Sequence, residues 1–195
     1  MKTVLLAVCA VFALSVGQVS AAIISFSFSG DFATDDDVEL INFTVDGPSI
    51  VTLRTWSYAG GTNAEGATID AGGFDPNVTL FDDGSGNFID ENDDGFGVAA
   101  DPVTGAEFDS LLSIFLDAGN YIAVGTQYAH FAIGPTLADG FTGSNTSGFV
   151  DADGNVRTSA WALDIIVADI PEPASLALIG LGLAGLGFAR RRVTA

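Results

Sequence analysis

Residues 72–101 read GGFDPNVTLFDDGSGNFIDENDDGFGVAAD. Val78, Leu80, Phe88 and Ile89 place apolar side chains on both sides of Asp82-Asp83-Gly84-Ser85-Gly86, a run of the residue types that favour a tight turn. The stretch therefore reads as strand, turn, strand. Beyond Ile89, the acidic or amide side chains of Asp90, Glu91, Asn92, Asp93, Asp94 and Asp101 surround Gly95 and Gly97. That part reads as an acidic loop.

The pattern continues outward in both directions. Upstream, residues 23–29 (IISFSFS) alternate apolar and polar, as do 38–45 (VELINFTV), and 50–56 (IVTLRTW) follow a Gly47-Pro48 turn. Period-two alternation marks strands with one buried face. Residues 57–73 are rich in Gly, Ala and Asn and read as a long surface loop. Downstream, 110–116 (SLLSIFL) and 121–127 (YIAVGTQ) flank Asp117-Ala118-Gly119-Asn120, which predicts a hairpin. A second Gly-rich loop spans 128–157, and 160–167 (AWALDIIV) form the last strand. About eight short strands with polar turns and no helical period predict an all-β domain over 23–170, an antiparallel β-sandwich or jelly roll.

The two ends differ in character. Residues 1–22 combine Lys2, an apolar centre and small residues ending in Ala21-Ala22, the three parts of a secretory signal peptide. The single cysteine, Cys9, lies inside it, so the exported domain is expected to hold together without disulfides. At the other end, Pro171-Glu172-Pro173 precedes the apolar residues 174–189 and then Arg190-Arg191-Arg192. As a helix, this apolar segment is roughly 24 Å long. That suits a short transmembrane span whose arginines stay on the cytoplasmic side.

Charge excludes one class of function. Of the 25 acidic residues only Glu172 lies outside residues 23–170, and of the six basic residues only Arg54 and Arg157 lie inside. A domain so anionic repels nucleic acid. Its surface is either simply well solvated or partly neutralised by divalent cations.

Asp90, Asn92, Asp94, Gly95 and Asp101 occupy places 1, 3, 5, 6 and 12 of a candidate calcium loop, a spacing that lets oxygen ligands curl around one ion. Asp at place 12, Gly97 at place 8 and Pro102 just beyond depart from that pattern, and a solvent-facing acidic loop is the competing reading. Trp56 and Tyr58 offer aromatic faces for sugar rings, or else pack in the core. One histidine, His130, and no cysteine outside the leader leave no zinc ligand set. Nucleophile–base pairs are equally lacking, so no enzymatic activity is expected.

Two resemblances follow from these residues. Pro171-Glu172-Pro173, the apolar segment and Arg190-Arg191-Arg192 resemble the PEP-CTERM sorting signal of Gram-negative bacteria. That resemblance implies export, a membrane-held intermediate, processing by an exosortase near the tripeptide, and a place at the cell surface or in the polysaccharide matrix of a biofilm. The body resembles an uncharacterised PEP-CTERM-associated family related to the bacterial pre-peptidase C-terminal (PPC) domain. The resemblance lies in Phe74-Asp75-Pro76-Asn77-Val78-Thr79-Leu80-Phe81-Asp82, Glu91-Asn92-Asp93-Asp94 and Ala118-Gly119-Asn120-Tyr121. It implies a sandwich that in some members binds calcium or polymers. The expected function is a non-catalytic, exosortase-processed surface or matrix protein. The alternative is a calcium-dependent polysaccharide-binding module.

Overall fold

The structure, a computed structural model, describes residues 21–143, 147–171, 179–180 and 182–183. Among them, ten strands are formed: β1 (Ile23–Asp31), β2 (Glu39–Val45), β3 (Ser49–Thr55), β4 (Gly61–Thr62), β5 (Thr68–Ile69), β6 (Pro76–Asp82), β7 (Phe88–Asn92), β8 (Leu111–Leu116), β9 (Gly119–Gln127) and β10 (Ala160–Asp169). One sheet has the order β1-β10-β3-β8 and the other β2-β9-β6-β7. Every pairing between these strands is antiparallel. The all-β sandwich expected from the alternation is the observed fold, within a unit spanning Ala21–Ile170.

Alternation explains the core. In β2, Ile41, Phe43 and Val45 are buried while Leu40, Asn42 and Thr44 are exposed. Val51 and Leu53 of β3, Leu163 and Ile165 of β10, and Leu112 and Leu116 of β8 approach them from the opposite sheet. Each such side chain contributes about 1.5–3 kcal/mol on leaving water, which lets the domain stand without a disulfide.

Strand β6 departs from simple alternation, because every residue from Pro76 to Phe81 is buried. Its inner face carries Val78 and Leu80 into the main core. Its outer face is roofed by the segment after β9: Phe81, Ile122 and Val124 form a second apolar cluster with Ala132, Leu137 and Phe141. Backbone bonds hold this roof down, from Phe88 N to Pro135 O (2.8 Å) and from Leu137 N to Gly86 O (2.8 Å). The second Gly-rich loop is thus partly a lid on the sheet.

Two local expectations change. The turn at residues 117–120 does not close a hairpin, since β8 pairs with β3 while β9 pairs with β2 and β6. It passes from one sheet to the other. The reason is packing: Leu112 and Leu116 enter the core from one side and Tyr121 and Ala123 from the other. Residues 57–73 also contain the small β4–β5 ribbon.

The expected leader lies outside the described residues except for Ala21 and Ala22, and Glu172, Pro173, Arg190, Arg191 and Arg192 lie outside them entirely. Of the apolar segment, residues 179–180 and 182–183 are described and helical. Among the described residues no helix is long and apolar enough to cross a membrane.

Candidate functional site

The four oxygen ligands expected from loop spacing are not brought together. Asp90 and Asn92 are strand residues, paired with Leu80 and Val78 of β6, so no twelve-residue loop starts at Asp90. The Asn92 side chain accepts a bond from Leu111 N (2.8 Å) and donates to Asp94 O (3.3 Å). Asp101 is engaged elsewhere. It forms a 3.0 Å ion pair with Arg157, both side chains being almost fully buried. Its other carboxylate oxygen accepts bonds from Val103 N, Thr104 N and Thr104 Oγ1. Burial opposes its ionisation, but Arg157 and these donors together hold Asp101 down at about 2.

Pairing of β6 with β7 assembles a different cluster. Asp75 immediately precedes β6 and Asp93-Asp94 immediately follow β7. The Val78–Asn92 register brings these two ends together. The Ser110 hydroxyl, buried immediately before β8, lies against the carbonyls of Pro76, Asn92 and Asp93 and ties both ends to the opposite sheet. Gly95 lets the chain pass close to β8, since a Cβ there would lie 2.4 Å from Leu111 Cβ. One carboxylate oxygen from each of Asp75, Asp93 and Asp94 falls within 4.8 Å of the others.

The electrostatics of this cluster are unbalanced. Asp75 is only 2% exposed. Its Oδ2 accepts one long bond from Ala152 N (3.4 Å), while its Oδ1 has no partner. Burial, then the neighbouring Asp93 and Asp94 carboxylates, push Asp75 up to about 8. Burial, then Asp94 and Glu91, push Asp93 up to about 7, and partial burial raises Asp94. Alternation puts Asn77, two residues from Asp75, on the same face of β6. Its amide nitrogen donates to Glu91 Oε1 (2.8 Å), and its buried Oδ1 has no partner.

The aromatic pair considered for sugar stacking is committed to the fold. Tyr58 is fully buried, with its hydroxyl donating to Asp151 Oδ2 (2.7 Å) and the Arg157 guanidinium 3.8 Å above its ring. A ring with no exposed face cannot stack on a ligand, which corrects that reading for Tyr58. Trp56 is half-buried; its Nε1 donates to Asp164 Oδ2 (2.7 Å) and Arg54 covers its ring at 3.9 Å. Gly61 packs so closely on Trp56 that a Cβ would lie 2.8 Å from the ring. His130 is buried against Phe141, and burial lowers its pKa despite the opposing charges of Asp36 and Asp35.

Counting along one loop could not find Asp75, which lies before β6, and it passed over Asp93 at place 4, where that spacing puts no ligand. The available signal was the acidic residue before one strand together with the acidic pair after its partner.

No curated protein matches the chain. Residues 169–192 match the family model of the PEP-CTERM protein-sorting motif, a span that includes Pro171, Glu172, Pro173 and the three arginines. Such a motif implies a protein exported by a Gram-negative-type system and targeted by an exosortase. After its β-sandwich, this chain carries a PEP-CTERM protein-sorting motif.

Proposed function

We propose that this is a non-catalytic surface or matrix protein, whose sandwich is released or attached outside the cell after an exosortase acts near Pro171-Glu172-Pro173. The observation carrying this reading is the sorting motif at residues 169–192, directly after the last strand of the sandwich. The leader supplies entry into the export path, the apolar segment 174–189 holds a membrane intermediate, and the arginines keep their end in the cytoplasm. The sandwich is then an accessory module of PPC-like type, delivered to an exopolysaccharide or biofilm matrix.

Replacing Pro171, Glu172 and Pro173 together by alanine tests the reading in the native host. The expected outcome is accumulation of unprocessed protein in the membrane fraction and loss from the surface and medium. Unchanged processing and location would overturn it.

A second reading, a calcium-dependent polysaccharide-binding module, draws support from the Asp75–Asp93–Asp94 cluster. The engagement of Trp56 and Tyr58 within the fold favours the first reading over it.

A further inference from the structure

We propose that Asp75, Asp93 and Asp94 hold one calcium ion between the start of β6 and the end of β7, a site that shares only Asp94 with the four ligands suggested by residue spacing.

Geometry and donor chemistry both point there. Three carboxylate oxygens lie within 4.8 Å of one another, as expected of ligands each 2.3–2.6 Å from a shared calcium. Asp75 Oδ1 and Asp93 Oδ1 are buried acceptors with no donor. Asn77 Oδ1, fully buried on the same face of β6, is a third. Buried acceptors without donors are strongly unfavourable unless something positive faces them.

Among the described residues no side chain meets that need. Arg54 and Arg157 are the only basic residues between 23 and 170. Arg157 is spent on Asp101, Tyr58 O and Gly73 O, and Arg54 lies over Trp56. A cation from solution would supply it. The donors are all oxygen, which selects a hard cation over zinc or copper. Asp94 is exposed, so one side of the site opens to water; calcium accepts the irregular geometry this leaves, whereas magnesium demands a near-ideal octahedron.

Bound there, calcium would staple the entry of β6 to the exit of β7. Through the contact of Ala152 N with Asp75, it would also reach the turn around Asp151. This role does not depend on the sorting reading.

The test uses the exported protein purified from culture, stripped with chelator, and titrated with calcium or magnesium chloride at matched ionic strength. Calcium at a hundredfold excess over its Kd is expected to raise Tm by about 5–10 °C, with one ion per chain by calorimetry and a much smaller effect of magnesium. Asp75→Asn and Asp93→Asn should each abolish the calcium response. Both replace a carboxyl group whose ionisation its surroundings oppose, so they should melt no lower than the metal-free parent, and loss of response cannot be put down to misfolding. Asp90→Asn should respond like the parent. Equal effects of calcium and magnesium, or a calcium response surviving in Asp75→Asn, would overturn the site.

Discussion

Asp75 and Asp101 are both 2% exposed, and their surroundings drive them in opposite directions. Asp101 faces Arg157 and three donors from Val103 and Thr104, whereas Asp75 meets one amide and the charges of three further carboxylates, Asp93, Asp94 and Asp151. Asp101, held near 2, contributes stability that is fully present above the ordinary carboxylate range and is lost as pH falls towards 2. We expect a loss on the order of 2 kcal/mol from this group, measured by urea unfolding between pH 5 and pH 2. Asp101→Asn should remove that part of the pH dependence. At neutral pH it should cost about 3 kcal/mol, by leaving the Arg157 charge buried without its partner. An unchanged acid limb in Asp101→Asn would show that other carboxylates carry it. Spacing along the chain grouped Asp94 with Asp90, Asn92 and Asp101, whereas the fold sets it beside Asp75 and Asp93. Counting positions presumes one continuous loop, while the cluster is built across a hairpin whose register is a tertiary fact.

Strands whose two faces meet different environments were the easiest to read. The run VELINFTV shows its buried face directly, and β2 (Glu39–Val45) buries Ile41, Phe43 and Val45 as alternation requires. β6 was legible as a strand, but its burial on both faces was not. Its roof comes from Ala132, Leu137 and Phe141, scattered through a segment whose glycines and polar residues mark it as loop. The β8–β9 connection misled for a related reason: a short polar turn between two apolar runs fits either a hairpin or a crossing between sheets. Only the strands' other partners decide it. The two-sided burial of β6 predicts that Phe81→Ala, at a fully buried outer-face position, costs about 3–5 kcal/mol in denaturant unfolding. Phe115→Ala, at a position 50% exposed on β8, should cost under about 1 kcal/mol. Equal costs would mean that the roof over β6 does not pack as described.

At the scale of the whole molecule, composition and the chain ends were more informative than any single side chain. Strong negative charge, the absence of cysteine beyond Cys9, and short alternating runs pointed to an anionic all-β domain, and the two four-stranded sheets follow. The sorting motif was legible because its tripeptide, apolar segment and arginines lie in linear order. Chemistry assembled by folding left no comparable linear trace. Sorting makes the most direct claim about what the molecule does in a cell, and intact mass tests it. The mature protein would be isolated from the native host and from a strain lacking the exosortase. The account predicts a chain lacking residues beyond the Pro171-Glu172-Pro173 region in the first, and a tail retained in full at the membrane in the second. An intact tail in both strains would contradict it.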